Sequence, residues 1–265
     1  MLGCSGYSPV GDHCGTHVSG YEPLGPPDDA AQALDQVNCY RNLLGLRPAV
    51  LDPRLDQAAT AHAEYMDHAQ SLTHEELQGN AHYTGDRVWD RIDAAGFDLG
   101  DYRVSELVAV GPAPRQAVDA WMNSVYHREV LTVEGWQAMG FGSSGNYTAL
   151  AAVFEDPSGA VLYPADTQDH VPVAFDTDLE VPDPLPDHGV VGSPLSVTGR
   201  SVESASLDGP EGAVELLVLR PGQDDDLDSM TAFLPVEPLQ RGSVYTFRVV
   251  LGNGTSLSSE FRTVP

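Results

Sequence analysis

Lysine is absent from this chain of 265 residues, so all 13 of its basic residues are arginine. Acidic residues number 39, and the formal net charge is −26 at pH 7. A surface of this charge repels phosphate backbones and anionic lipid headgroups. We therefore expect no nucleic-acid partner and no electrostatic adsorption to membranes.

Long apolar runs are also missing. No segment approaches the roughly 18 to 20 apolar residues that cross a bilayer, so we predict a chain without a transmembrane span. The opening Met1-Leu2-Gly3-Cys4 resembles the end of a bacterial lipoprotein signal, where cleavage before the cysteine allows its acylation. The charged and apolar parts of such a signal are not present. Two interpretations stay open, a lipid anchor at Cys4 or an accidental match.

Cysteine is scarce, with three residues in the whole chain. If Cys4 carries a lipid, Cys14 and Cys39 remain as a pair. A disulfide between them would fit an oxidising compartment outside the cytosol. The alternative is two buried thiols.

A chain of 265 residues with 42% hydrophobic residues is long and apolar enough to form two folded units. Residues 1–28 are rich in Gly, Pro, Ser and Asp and are predicted to be a tail. Residues 29–165 carry helices first and then strands mixed with helices, which predicts an α+β domain. Residues 166–190 have the Pro/Asp-rich pattern of an extended linker. Short β-rich runs in residues 191–265 predict a small all-β sandwich.

Local signals predict where helices and strands begin. Asp28 and Asp52 are typical N-cap residues, and Pro53 suits the first helical position after Asp52. The β-branched residues at 104–110 predict a strand that carries Glu106 near its start. A helix after Pro114 is predicted to present one apolar face, formed by Val118, Trp121, Met122 and Val125. Further strands are predicted at 137–142, 147–155, 194–199, 202–207, 213–219, 230–235, 243–251 and 256–263.

Histidines and one glutamate are the candidate functional side chains. His74, Glu106 and His127 occupy segments that could converge on one cleft, and two imidazoles with a carboxylate suggest a metal or acid/base site. His62 falls on the apolar stripe of the second predicted helix, so we interpret it as a hydrogen-bonded core residue. His82 is a spare ligand candidate.

A short acidic loop, Asp224-Asp225-Asp226-Leu227-Asp228, lies within the predicted β-sandwich. Carboxylates of this density can bind calcium, but the loop lacks the glycine-bearing spacing of known calcium loops. We interpret it as a solvated turn.

A series of motifs, none specific alone, runs through residues 34–155 in a characteristic order and spacing. Together they resemble the CAP superfamily of cysteine-rich secretory, antigen 5 and pathogenesis-related proteins, and most of all its bacterial SCP-like extracellular branch. The C-terminal run Pro238–Tyr245 is similar to bacterial immunoglobulin-like modules. The CAP motifs are Val37-Asn-Cys-Tyr-Arg41, Ala58-Ala-Thr-Ala-His62, Thr73-His74, Asp90-Arg-Ile-Asp-Ala-Ala-Gly-Phe97, Ser105-Glu106, Trp121-Met-Asn-Ser124, His127-Arg128 and Met139-Gly-Phe-Gly142.

This resemblance implies a three-layer α-β-α sandwich with a surface cleft lined by two His and two Glu. By position, His74 and His127 match the two histidines, and Glu106 matches the first glutamate. Ser124 stands where eukaryotic members carry the second glutamate. Leu107 replaces the Asn that follows the first glutamate, so one cleft amide is lost.

Function is predicted from the cleft. Two imidazoles can hold Zn²⁺ or another divalent cation weakly, with Glu106 as a third ligand or as an acceptor that orients one His. No Ser or Cys nucleophile with a partnered base and no H-E-x-x-H motif is present. We expect a secreted or surface-tethered bacterial binding module for a lipid, a small ligand or a protein partner. The alternatives are a metal-dependent peptide or ester hydrolase with Glu106 as base, and a structural or adhesive surface protein.

Overall fold

The computed structural model describes residues 28–111 and 113–265. The first part of the chain forms eight helices and strands: α1 Asp29–Leu43, α2 Pro53–Ala69, α3 Val88–Ala94, β1 Arg103–Val110, α4 Pro114–Asn123, α5 Tyr126–Thr132, β2 Trp136–Ser144 and β3 Tyr147–Phe154. The second part is almost entirely strand: β4 Val161–Tyr163, β5 Ala174–Asp176, a 3-10 helix Thr177–Leu179, β6 Val190–Gly192, β7 Leu195–Thr198, β8 Val202–Gly209, β9 Gly212–Val214, β10 Leu216–Leu219, β11 Met230–Pro235, β12 Val244–Leu251 and β13 Ser256–Arg262.

Both predicted helix starts are confirmed. The Asp28 side chain accepts a hydrogen bond from the backbone N–H of Ala31, which caps α1. Asp52 accepts from the N–H of Arg54, and Pro53 is the first residue of α2. Each aspartate satisfies one of the N–H groups that a helix start leaves without an intrahelical partner.

The first sheet has three antiparallel strands in the order β1-β3-β2. Alternate residues of β3 point to opposite faces, as the strand period requires. Leu150 and Ala152 pack in a core with residues of α1 and α4. Ala151 and Val153 pack on the other side with residues of α2 and α3. Helices therefore cover both faces of the sheet, and the predicted mixture of α and β structure is confirmed.

Helix α2 lies directly on strand β2. A Cβ atom added at Gly140 would lie 2.0 Å from the backbone carbon of Leu55, and one added at Gly142 would lie 2.3 Å from Thr60. Only glycine permits this approach of helix to strand. The close contact sets the position of α2 and of the loop with His74 that follows it.

The remaining strands build two four-stranded antiparallel sheets, ordered β10-β11-β7-β4 and β13-β12-β8-β9. Their inner faces share one core, which includes Val197 and Phe233 from the first sheet and Phe247 and Phe261 from the second. The predicted β-rich runs are confirmed, with the run at 213–219 divided into β9 and β10. The assignment of this sandwich as immunoglobulin-like remains an interpretation.

The structure corrects the prediction that residues 166–190 form an extended linker. Strand β4 falls within the predicted domain 29–165 but pairs with β7 of the C-terminal half. Residues 166–190 contain β5 and the first residue of β6, which pair with each other, and Glu180 in this segment is buried. Proline and aspartate are typical of an extended linker, but here they accompany short strands and turns.

Helix α5, which was not predicted, joins the two halves. Arg128 is fully buried, donates to the carbonyl of Pro194 at 2.7 Å, and lies over the ring of Tyr163. Thr132 and Thr198 share a buried hydroxyl hydrogen bond of 2.7 Å. Val125, predicted on the inner face of the preceding helix, instead precedes α5. It is buried among C-terminal residues Leu185, Val191, Leu227, Met230, Ala232 and Leu234.

Candidate binding cleft

A cleft of about 260 Å³ opens between the two halves of the molecule. The N-terminal half contributes His74, Glu106 and His127 to its lining. The C-terminal half contributes the apolar pair Val181 and Pro182, together with the acidic loop residues Asp226 and Asp228. The structure thus brings the three predicted side chains to one cavity. It also shows a wall from the C-terminal half that was not predicted.

Glu106 is held at the floor of the cleft by strand β1. Its Oε1 accepts a hydrogen bond from Arg91 at 2.7 Å, and its Oε2 lies 3.0 Å from Nδ1 of His74. Burial alone would raise the pKa of this carboxyl group. The hydrogen bond with His74 and the charges of His62 and Arg91 outweigh burial, so the pKa is lowered. Glu106 is therefore ionised at neutral pH.

A buried polar network supports Glu106 from below. His62 is fully buried, with Nε2 2.8 Å from the carbonyl oxygen of Thr73 and Nδ1 2.9 Å from Glu76. Arg91 also donates to the carbonyl oxygen of His74 at 3.1 Å and so holds the loop that carries this histidine. The prediction of His62 as a hydrogen-bonded core residue is confirmed. Arg91 and Glu76 were missed, although Arg91 falls within a quoted motif.

His127, the second residue of α5, has two acceptors at one ring nitrogen. Its Nδ1 lies 2.9 Å from Oε1 of Glu180 and 3.0 Å from Oγ of Ser124. The Ser124 hydroxyl already donates to the carbonyl oxygen of Trp121 at 2.9 Å. Since its hydrogen is used there, Ser124 can only accept from His127. Ser124 thus lies behind the histidine and does not supply the missing carboxylate.

Glu180 is a third site residue that sequence reasoning missed. It follows the 3-10 helix in the segment read as a linker, 53 residues after His127. Besides Nδ1 of His127, its carboxylate accepts the backbone N–H groups of Val125 at 2.7 Å and Tyr126 at 2.8 Å. No local pattern marks a residue that reaches its partners through tertiary packing.

Both cleft histidines have the same arrangement of ring nitrogens. Each Nδ1 is 3.0 Å or less from a carboxylate, Glu106 for His74 and Glu180 for His127. Neither Nε2 has a hydrogen-bond partner among the described residues. A proton on Nδ1 leaves the Nε2 lone pair available, which is the form that binds a metal ion. Each imidazole therefore offers one nitrogen of the donor type that a divalent cation such as Zn²⁺ takes in proteins.

No larger ligand set is present. Within residues 28–111 and 113–265, no group of three or more His, Cys, Asp or Glu side chains is placed to hold a metal ion. His82 does not line the cleft and lies 3.6 Å from Glu64. Leu107, which takes the place of the cleft amide, is buried in the core. A cation here would keep most of its shell open to water.

The acidic loop is a turn whose Asp225, Asp226 and Asp228 are exposed, as predicted, and it also contacts the N-terminal half. Asp224 accepts a hydrogen bond of 3.0 Å from the hydroxyl of Tyr126, and Asp228 lies 3.2 Å from Arg103. Glu129 of α5 accepts from the N–H of Asp228 at 3.2 Å, and burial raises its pKa. The loop forms one side of the cleft and gives it an acidic rim.

Comparison with known families decides the identity of the N-terminal half. Residues 34–154 match the model of CAP, the cysteine-rich secretory protein family. These residues form a CAP domain. The domain contains most of α1, all of α2 to α5, the three-stranded sheet and the cleft residues His74, Glu106 and His127. Glu180 lies outside it.

Three solved structures resemble part of this chain at low identity. An extracellular protein containing an SCP domain from Bacillus anthracis is 20% identical with a TM-score of 0.44. An outer surface protein from Borrelia burgdorferi is 21% identical with a TM-score of 0.39, and a cysteine-rich secretory protein from Staphylococcus aureus is 20% identical with a TM-score of 0.38.

Each of these likenesses covers 51% of this chain. They cover 45%, 97% and 42% of the Bacillus, Borrelia and Staphylococcus chains respectively, so less than half of the first and third is represented. No curated protein matches the chain.

Two predicted features concern residues outside the described part. Cys4, the predicted lipidation site, and Cys14, the predicted partner of Cys39, both belong to residues 1–27. Cys39 lies on α1 and packs against the CAP core. Lipidation and the Cys14–Cys39 disulfide stay predictions. No helix of the described residues combines the length and apolar character needed to span a membrane.

Proposed function

We propose that this chain is a secreted or surface-tethered bacterial protein whose CAP domain is a binding module rather than an enzyme. Its cleft would bind a lipid, a small ligand or a protein partner, and would hold a divalent cation such as Zn²⁺ weakly. The observation that carries this proposal is the pair of histidines, His74 and His127, each with Nδ1 against a carboxylate and Nε2 without a protein partner.

The number of ligands sets the expected affinity. Durable zinc sites in proteins use three or four protein ligands, and this cleft offers two imidazoles. Glu106 supports His74 instead of completing the shell, because both of its oxygens have partners in Arg91 and His74. Carboxylates behind metal-binding histidines orient the ring and raise its basicity. Weak, exchangeable binding is the expected result.

The chemistry of Glu106 speaks against the hydrolase alternative. A general base works best when its pKa is near the operating pH, and the pKa of Glu106 is lowered by His74 and Arg91. Ser124 and Glu180 contact the same nitrogen of His127, so these three residues do not form the relay of a nucleophile, base and acid. A metal-dependent hydrolase that uses Glu106 as base is the alternative hypothesis, and the experiment below tests it.

The side chains that line the cleft favour a ligand with both apolar and charged parts. Apolar side chains in the lining come from both halves, including Phe154 of the CAP domain and Val181 of the C-terminal half. Asp226 and Asp228 give one side a negative charge. We propose that the β-sandwich, of immunoglobulin-like type, serves as a second wall of the cleft and as a spacer. A purely structural or adhesive role is the third reading.

Calorimetric titration with zinc tests the proposal. The full chain is compared with His74→Ala and His127→Ala, and with His188→Ala as control, because His188 is exposed and does not line the cleft. We expect each cleft variant to lose affinity at least tenfold and the control to bind as the parent does. Binding should be weaker at pH 5.5 than at pH 7.5, since the imidazoles must be deprotonated.

Two outcomes would contradict this assignment. Unchanged zinc binding in both cleft variants would place the ion elsewhere. Metal-dependent cleavage of a peptide or ester library that disappears in Glu106→Gln would establish the hydrolase reading.

A further inference from the structure

We propose that Glu180 is the second carboxylate of the cleft, supplied from outside the CAP domain to position His127. The proposal rests on the binding function above, because it explains how one of the two imidazoles is oriented. It also carries a structural consequence of its own. The cleft is complete only when the segment after the CAP domain is folded against it.

The contacts of Glu180 place its carboxylate at the start of α5. It accepts from the N–H of Val125 at 2.7 Å, of Tyr126 at 2.8 Å and of His127 at 3.4 Å. Its side chain is only 1% exposed. A buried carboxylate is costly unless several donors satisfy it, and these backbone groups do so. The same carboxylate then meets Nδ1 of His127 at 2.9 Å.

Ser124 cannot perform this role at the position where a glutamate is expected from the family pattern. Its side chain is short, and its hydroxyl hydrogen is donated to the carbonyl oxygen of Trp121. The Ser124 oxygen therefore adds a second acceptor beside Glu180 and no charge. The negative charge behind His127 comes from Glu180 alone among the described residues that contact Nδ1.

Two acceptors at Nδ1 determine the tautomer of His127. The proton must lie on Nδ1, because neither Glu180 nor Ser124 offers a hydrogen to that nitrogen. The Nε2 lone pair is then free. Without Glu180, the Ser124 hydroxyl can rotate and donate to Nδ1, which would move the ring proton to Nε2 and block the site for a cation. Glu180 is thus a positioning residue that acts through His127.

The residues that follow Glu180 link this role to the shape of the cleft. Val181 and Pro182 line the cavity and are exposed. One short segment therefore supplies both the carboxylate behind His127 and an apolar part of the wall. The affinity of a ligand that contacts Val181 would therefore also depend on the position of Glu180.

The test is nitrogen-15 NMR of the histidine rings in the full chain at pH 8, without metal. We expect His127 of the parent protein to carry its proton on Nδ1. In Glu180→Ala it should change to the Nε2-protonated tautomer, and zinc affinity should fall about 10-fold to 100-fold. Glu180→Gln keeps an oxygen acceptor and should preserve the tautomer, with an intermediate zinc affinity.

Matched variants distinguish the positioning role of Glu180 from a general loss of contacts between the two halves of the molecule. Thr132→Val removes the buried hydrogen bond to Thr198 between the two halves, at a residue that does not line the cleft, and should leave the tautomer unchanged. Ser124→Ala leaves Glu180 as the acceptor and should also keep the proton on Nδ1. If Glu180→Ala does not fold, Ser124→Ala and Glu180→Gln still test which residue fixes the tautomer. Loss of the Nδ1 proton in Ser124→Ala alone would assign the positioning role to Ser124.

The proposal is overturned if His127 of the parent protein carries its proton on Nε2, or if Glu180→Ala folds and keeps the tautomer. These readouts need no metal. A parent protein that shows the expected tautomer but binds no zinc would therefore refute the proposed cation binding while leaving the role of Glu180 intact.

Discussion

Arg91 donates to Glu106 at 2.7 Å, and only 1% and 4% of the two side chains are exposed. This pair is the centre of the buried network beneath the cleft. Arg91 also donates to the carbonyl oxygens of Gly85 at 3.2 Å and His74 at 3.1 Å. One guanidinium group therefore holds both the cleft carboxylate and the backbone of a cleft histidine, and the cleft depends on it for its geometry.

Replacing Arg91 with leucine should destabilise the protein strongly. The substitution leaves Glu106 buried without its cationic partner, and breaking such a pair typically costs about 3 to 5 kcal/mol. Chemical denaturation measures the change. Arg87→Leu is the control, because Arg87 pairs with Glu75 at half-exposed positions and should cost less than about 1 kcal/mol. Similar losses in both variants would contradict the central role of Arg91.

The lowered pKa of Glu106 predicts a loss of stability in acid. A carboxyl group whose pKa is lower in the folded state stabilises the fold above its unfolded pKa, near 4.5. This contribution is lost as the pH falls from about 4.5 through the lowered pKa of the folded state. Glu106→Gln should be less stable than the parent at pH 7 and should show a shallower decline in acid. Parallel pH curves for the two proteins would refute this.

Alanine at Gly140 should disrupt the contact between α2 and β2. The added Cβ would lie 2.0 Å from backbone of Leu55, which no side-chain rotation relieves. We expect a loss of about 3 kcal/mol in unfolding free energy, at the upper end for overpacking. Ser143→Ala on the same strand is the control and should change stability by less than about 1 kcal/mol. A neutral Gly140→Ala would mean that α2 can move away from the sheet.

The segment 178–187 should resist proteolysis in the parent protein, because Glu180 and Leu185 are buried against the CAP domain and the β-sandwich. Val125→Ala removes apolar contacts in the same interface and should cost about 2 kcal/mol. Limited proteolysis should then cut this segment faster in the variant. Rapid cleavage of the parent at 178–187 would show that the two halves are independent after all.

A disulfide between Cys14 and Cys39 is expected to tie the N-terminal tail to α1. Closing a loop of this length contributes on the order of 3 kcal/mol. Thiol titration of the unfolded protein should give two more reactive thiols after reduction than before it. Equal titres with and without reductant would exclude the bond, and Cys14→Ser should lower the melting temperature only if the bond forms.

The sequence by itself determined the elements and part of the site. Asp28 and Asp52 marked helix starts, and β-branched runs marked most strands, because capping and side-chain periodicity act between near neighbours. His74, Glu106 and His127 could be named because they belong to ordered motifs of the CAP domain. His62 could be assigned to the core because it falls on an apolar helical stripe.

Only the tertiary structure decided what completes the cleft. Glu180 reaches His127 across 53 residues, Arg91 reaches Glu106 across 15, and Asp224 reaches Tyr126 across 98. Such pairings depend on how sheets and helices pack, and a polar residue in a Pro/Asp-rich segment has no periodic signal of its own. Val125 is buried among residues of the C-terminal half, and the segment that was predicted to be a linker forms one wall of the cleft.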